Sequence, residues 1–331
     1  MLPESGPVMK HVIRSALISS SFKMRGFKPE DAIVLSCDPR SGSTWLSELL
    51  VSTTPSAVIW EPFHLDKVPR AREIGFSWRQ YIPADADWPE AERFIRDVLT
   101  GQVVNEWTGW ANPVREFISA QQLIVKCCRA NAFLPWMVRR IQFRRRPIHF
   151  LRHPFAIAAS QIKMGNFGTE KMLETLKSDR YSQDLVESTN YIKGLETDEE
   201  RIVAMWCRTQ KPCLDDPDYE TNYVRMYYES LSLDPATEVA RLFGSWGETV
   251  PEIARDQVQK ASRMTQGESL SHSPERQVRK WQEVFTDKQA QRMSRIISDF
   301  GITIYDEHPM PHEQKSDQSA VYPALFLRRY P

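Results

Sequence analysis

Short apolar runs rich in branched side chains recur along the chain, each followed by a polar turn and then by apolar residues at helical spacing. Ala32 to Cys37 is the first such run, DPRSGS is its turn, and TWLSELLVSTT places Trp45, Leu46, Leu49 and Leu50 at helical intervals. That succession predicts strand, tight loop and helix. Ser56 to Pro62, Gln121 to Cys128 and Pro147 to His153 predict three further strands. Helices are predicted over PEAERFIRDVLTG, over LPWMVRRIQFRRR with its basic end, and over PFAIAASQIKMG. Phe63 to Ala120 is otherwise irregular, with several Pro and Trp residues. Repeated strand–loop–helix units imply a largely parallel sheet with helices on both faces.

Further on, Gly165 to Glu200 is polar and helix-like and reads as a mobile cover. NYVRMYYESL predicts a strand followed by a turn. DPATEVARLFGSWG predicts a helix with Asp234 as N-cap and Pro235 in its first turn. DKQAQRMSRIISDFG is the last predicted helix, HPMPHEQKSDQSA reads as a flexible tail, and YPALFLRRY as a segment that docks on the body or on a partner. The chain divides into an N-terminal extension (1–30), one α/β domain (31–306) and a C-terminal tail (307–331), with no internal repeat.

Composition narrows the function classes. Lys+Arg and Asp+Glu both number 43, so the net charge is zero. Bulk nucleic-acid binding needs a basic surface, so the expectation is no nucleic-acid partner. Five cysteines without regular spacing, and seven histidines without helical metal spacing, predict reduced thiols and no metal site. No stretch approaches the roughly 18 apolar residues of a membrane span. The first residues are basic and Ser-rich, with Glu4 their only acid, and lack a secretory apolar core. They read as an exposed first helix or an organelle transit peptide, and a cytoplasmic location is expected.

The sharpest local feature is the turn from Asp38 to Trp45. A helix N-terminus offers unpaired N–H groups and a positive dipole end to an anion. Gly42 lets the backbone approach a phosphate, Ser43 and Thr44 add hydroxyls, and Arg40 adds charge. A plain strand-to-helix turn uses the same small residues. An ATP-binding P-loop, G-x-x-x-x-G-K-S/T, fits poorly: Cys37 or Asp38 stands where its first Gly belongs, and no Lys precedes the hydroxyls.

PRSGSTW resembles the 5′-phosphosulfate loop of sulfotransferases that use 3′-phosphoadenosine 5′-phosphosulfate (PAPS). That loop runs Pro, Lys or Arg, Ser or Thr, Gly, two hydroxyl residues, then Trp or Phe, and this sequence fits it throughout. The resemblance implies a P-loop-like three-layer α/β/α fold with a mainly parallel sheet, PAPS as co-substrate, and PAP as product. It makes 31–306 the sulfotransferase domain. It also implies that Arg40 reaches the transferred group, that Ser41, Gly42, Ser43 and Thr44 hold the 5′-phosphate, and that Trp45 stacks on adenine. Arg152, with Ser160 eight residues on, matches the family's 3′-phosphate grip. A guanidinium and a hydroxyl suit that phosphate, although an Arg at a strand end is, alone, more often a surface residue. Tyr228 in YYESL would touch the adenosine. RQVRKWQEVFT matches the last nucleotide-covering loop in Trp281 and Thr286 but lacks its R-K-G element, which leaves Arg276 or Arg279 as substitutes.

Soluble members carry K-T-H on the third strand, with His as base. Here Lys126 is kept and Cys128 stands in the His position. Glu61-Pro62 is similar to an E-P step of carbohydrate sulfotransferases in which the carboxylate is the base. Burial among Trp60 and Phe63 would raise the Glu61 pKa toward neutrality, or the residue would pair with Arg40 or Lys126. His64 is the second candidate base. The resemblance implies a hydroxyl-bearing acceptor, a carbohydrate or glycolipid. A natural-product alcohol, an ATP-dependent kinase and a non-catalytic nucleotide-binding protein are the alternatives. Arg139, Arg140, Arg144, Arg145 and Arg146 would greet an anionic acceptor or form a solvated helix end. Trp78, Trp88, Trp107 and Trp110 would stack on sugar rings or fill the core.

Overall fold

A computed structural model describes residues 18, 22, 25–165, 173–176, 180–181, 183–252 and 273–312. Its centre is a five-stranded sheet: β1 (Ile33–Cys37), β2 (Ser56–Trp60), β3 (Gln122–Cys127), β4 (Ile148–Leu151) and β5 (Val224–Tyr227), in the order β2-β3-β1-β4-β5. All four pairings are parallel. The strands predicted from the apolar runs are therefore present, each a residue or more shorter than its run. β1 and β4 are buried along their whole length. A strand covered on both faces needs no alternation of apolar and polar residues, which is why each reads as a continuous run.

The two sheet faces carry separate cores. Val34, Ile59 and Val125 pack with Phe94, Phe133 and Trp136 on one side. Leu35, Val58, Ile124 and Phe150 pack with Leu46, Leu50, Leu242 and Phe243 on the other. The first face is covered by the helices Pro89–Leu99 and Leu134–Arg140, the second by Ser43–Val51 and Pro235–Ser245. Asp234 caps Pro235–Ser245 as expected, accepting from the Thr237 amide at 3.1 Å.

A third cluster differs from expectation. Asp198–Leu214 is a 17-residue helix that packs against Pro154–Lys163 and Asp287–Asp299. Its first residues lie inside the stretch read as a mobile cover, yet a Thr197–Glu200 capping box fixes its start. Buried residues occupy every position from Ile202 to Gln210, so no polar stripe marks it in the sequence. Of the rest of that stretch, 166–172, 177–179 and 182 lie outside the described residues.

Two smaller corrections follow. The predicted turn after β5 is a short helix, Tyr228–Leu233. The basic helix ends at Arg140, where Ile141 turns extended. Its arginines are tied down: Arg139 to Asp216 at 3.1 Å, Arg144 to Asp31 at 2.9 Å and Arg145 to Glu248 at 2.7 Å. Arg140 donates to the Ala86 carbonyl, and Arg146 to the Ser245 carbonyl. Arg144 to Arg146 precede β4, at the amino end of the strands, and brace the fold there. The docking segment, and the tail beyond His312, lie outside the described residues, as does most of 1–24. No described helix is long and apolar enough to cross a membrane.

Candidate active site

The connection leaving β1 runs toward β2, and the one leaving β4 runs toward β5. Such divergence opens a crevice at the carboxyl ends of adjacent strands, the usual ligand position in open α/β sheets. The turn Asp38–Gly42 leaves β1 there, and Arg152 follows β4 directly.

Asp38 anchors the turn. It is buried, pairs with Arg79 at 3.3 Å and accepts from the Gln210 side chain. Burial pushes its carboxyl up to about 6 against the pull of Arg79 and Gln210. Arg40 and Gly42 then take left-handed backbone, at φ 71° and 83°. Gly42 is the N-cap of Ser43–Val51 and supplies no side-chain cap. The first N–H groups of that nine-residue helix therefore stay open to an anion. The Ser41 hydroxyl beside them is buried without a hydrogen-bond partner.

Gly42 is favoured twice over. Its left-handed φ costs least for a residue without Cβ, and a Cβ there would lie 2.5 Å from the Tyr228 ring. Gly42→Ala is expected to lose about 2 kcal/mol or more of stability from backbone strain and the clash. Thermal denaturation beside the wild type reads this as a drop of several degrees; an unchanged Tm would mean that the loop moves freely away from Tyr228.

The second group lies against the first. Arg152 donates to the Arg40 carbonyl at 2.8 Å, and Arg40 Nε donates to Ser160 Oγ at 3.0 Å. Arg152 also sits 4.1 Å over the Tyr228 ring, and its buried Nε has no partner. Glu229 locks this corner, accepting from the His153 amide and from the Tyr305 hydroxyl, both at 2.9 Å. Burial, only partly offset by these bonds, pushes the Glu229 carboxyl up. Arg276 pairs with Glu283, and neither it nor Arg279 lines the cleft.

Opposite stand Glu61 and Lys126, 3.1 Å apart and both almost fully buried. Lys126 Nζ lies 3.9 Å over the Trp60 ring. Arg129 is the second cation on Glu61, at 3.0 Å, and the Cys128 amide donates to it at 3.2 Å. Glu61, like Arg40, holds a left-handed φ, 44°. The expected upward pKa shift is not found. Burial raises the carboxyl, but Lys126, Arg129 and the Cys128 hydrogen bond outweigh it and hold Glu61 below the ordinary carboxylate range. Burial would lower the Lys126 ammonium, yet Cys128, Cys37 and Glu61 hold it above its ordinary value.

His64 is half-buried between Trp78 and Trp107, with ring centroids 4.9 and 5.0 Å away. Burial, then the Arg129 charge, pulls its pKa down. A cavity of about 630 Å³ joins Arg40, Thr44, Trp45, Glu61, Lys126 and Arg152. A neighbouring cavity of about 590 Å³ shares Arg40, His64 and Arg129 with it and is walled by Trp78, Arg72 and Arg79. Every site residue read from the sequence therefore borders the first cavity or touches one that does, Ser160 through Arg40 and Ser41 within the turn. Of the four tryptophans, Trp107 and Trp78 line these cavities, Trp88 is buried in the core, and Trp110 packs on Trp60 with its face exposed.

Arg129 and Arg79 escaped the sequence reading. Arg129 lies two residues past the end of β3 and at odd spacing from Lys126, so strand alternation does not flag it. Arg79 lies in the irregular stretch and carries no local signal. Among the described residues no cluster of His, Cys, Asp or Glu could hold a metal ion.

No protein-family model matches the chain, and no curated protein matches it. Its fold is similar to that of solved sulfotransferases. One is the sulfotransferase domain of the Synechococcus PCC 7002 olefin synthase, at 16% identity over 83% of this chain and 94% of that one, TM-score 0.43. A second is mouse sulfotransferase SULT7A1 complexed with PAP, at 16% identity over 87% and 90%, TM-score 0.42. A third is STF1 from Mycobacterium tuberculosis H37Rv, at 14% identity over 84% and 86%, TM-score 0.39. At such distances the functional reading rests on the residues themselves.

Proposed function

We propose that the chain is a sulfotransferase that moves the sulfuryl group of PAPS to an acceptor hydroxyl. The observation that carries this is the meeting of two anion grips at one cleft, Arg40 through Thr44 and Arg152 with Ser160, facing a Lys126–Glu61 pair. PAPS has a phosphate at each end of its adenosine, and two separate grips suit it better than they suit ATP. The open helix N-terminus and the unpartnered Ser41 hydroxyl fit the 5′-phosphate, and Arg152 with its free Nε fits the 3′-phosphate. Trp45 and Tyr228 flank the space for adenine.

Transfer is in line. The acceptor oxygen forms a bond to sulfur as the bond from sulfur to the 5′-phosphate oxygen breaks; the acceptor proton goes to Glu61, and PAP leaves. Arg40 and Lys126 neutralise charge on the sulfuryl and departing oxygens, the chief need in such transfers. When Lys126 turns to the donor, Glu61 loses one of its two cations. Burial then raises its proton affinity at the moment a base is needed. His64 borders the acceptor side and contacts the acceptor.

The acceptor proposed is a carbohydrate or glycolipid. The second cavity supports it: Trp78, with Arg129 over its ring at 5.1 Å, and Arg72, paired with Asp66, line it and bring an aromatic ring and guanidinium N–H groups to one wall. Transfer of radiolabelled sulfate from PAPS to a panel of glycans and alcohols tests this, and transfer to hydrophobic alcohols alone would move the acceptor class. Thermal shift tests the donor: PAP is expected to stabilise the chain, and stabilisation by ATP alone would replace this reading with a kinase. Arg152→Ala is expected to weaken PAP binding by about 10- to 100-fold, the size of one lost charge-assisted phosphate contact. Calorimetric titration with PAP reads it, and an unchanged Kd would remove Arg152 from the 3′-phosphate.

A further inference from the structure

Arg208 is a buried guanidinium that the reaction does not use. It lies on the long helix Asp198–Leu214 and is 6% exposed. Its Nη1 is shut off from solvent and has no hydrogen-bond partner; Nε and Nη2, which keep some accessible surface, are the atoms a ligand in the adjoining cavity can reach, and no carboxylate forms an ion pair with the guanidinium among the described residues. An unpaired buried charge is among the most unfavourable features a fold can hold. Desolvation, with the like charge of Arg79 behind it, pulls Arg208 down to about 10, so it stays cationic at neutral pH.

The residue lines a cavity of about 590 Å³ that shares no lining residue with either cavity of the reaction site. Tyr81, Ile82, Pro212 and Phe300 give that cavity an apolar and aromatic wall. Its carboxylates lie at the exposed rim. Asp215 is committed to Lys211 at 2.8 Å, and Asp299 to the Tyr191 hydroxyl at 2.6 Å. Among the described lining residues Asp184 and Glu187 remain, and they repel any ligand that carries several negative charges. A cation at depth, apolar walls and an acidic mouth together select one anionic head on an apolar body.

We propose that this cavity binds an organic monoanion, an aryl or alkyl carboxylate, whose head group pairs with Arg208. A nucleotide or oligosulfate is excluded by the rim, and a neutral apolar molecule would leave the guanidinium unpaired. The site stands whether or not the chain transfers sulfate, because it uses none of those residues.

Two probes with neutral isosteres test it on the full chain: 2-naphthoate against 2-naphthamide, and decanoate against decanamide. At least one acid is expected to raise the Tm of the wild type at up to about 10 mM, a concentration that would reveal even weak binding, while its amide does not. Calorimetry should give a Kd at least about tenfold weaker in Arg208→Met, the usual loss for a charge-assisted contact. Arg208→Lys should bind more weakly than the wild type and more tightly than Arg208→Met. Saturating PAP should leave the acid's Kd unchanged. Without ligand, Arg208→Met should melt no lower than the wild type, since it keeps the apolar stem and removes an uncompensated charge. Equal binding of acid and amide, binding that survives Arg208→Met, displacement by PAP, failure of both acids to bind, or a lower Tm of unliganded Arg208→Met would each overturn the proposal.

Discussion

Glu61→Gln is expected to lower kcat by about 10²- to 10⁴-fold, the range for loss of a general base, while PAP binds at least as tightly as before. The two halves have one cause. In the free chain the carboxylate holds Lys126 at 3.1 Å and Arg129 at 3.0 Å. Gln keeps the shape but releases both cations to the donor, so a structural role for Glu61 predicts weaker PAP binding and a catalytic role does not. The substitution also removes a pH-dependent part of stability. Because its folded pKa lies below the ordinary value of 4.5, Glu61 stabilises the fold above that value, and the contribution is lost as pH falls through the folded pKa. Steady-state kinetics with PAP titration decide the matter, and a kcat within about threefold of wild type would exclude Glu61 as base.

Lys126→Met is expected to lower kcat by about 10²- to 10³-fold, the usual loss of one preorganised charge on a developing anion. Its second effect is more diagnostic. Without Lys126, burial of Glu61 is opposed only by Arg129 and the Cys128 hydrogen bond. The Glu61 pKa rises, and the acid limb of the pH–rate profile moves to higher pH. A rate loss with an unmoved limb would mean that Lys126 acts on the donor alone and does not tune the base. Breaking this buried pair is expected to cost about 3 kcal/mol or more of stability, so Lys126→Arg serves as the folded control that retains the charge.

The sheet was legible because buried parallel strands write themselves as unbroken apolar runs, and the two segments proposed to grip phosphates could be singled out because each lies within one short strand–turn–helix unit. What failed to show depends on residues far apart in the chain. Glu61 and Arg129 are 68 positions apart, and no local pattern announces that their contact reverses the effect of burial on the carboxyl. The helix Asp198–Leu214 is hidden by its own success in packing, since neighbours on several sides leave it no polar stripe. Arg208, inside that helix, looks in the sequence like a residue from an exposed face.

Three non-glycine residues among those described have positive φ, and two of them are Arg40 and Glu61. Each such conformation is held at a penalty of about 1–3 kcal/mol, so two of the side chains proposed for the chemistry sit where the backbone is least at ease. Glycine or asparagine at either position would settle the chain more comfortably. Breeding this protein for heat tolerance alone would therefore favour replacements at these two positions first, and would yield sturdy descendants that no longer turn over substrate.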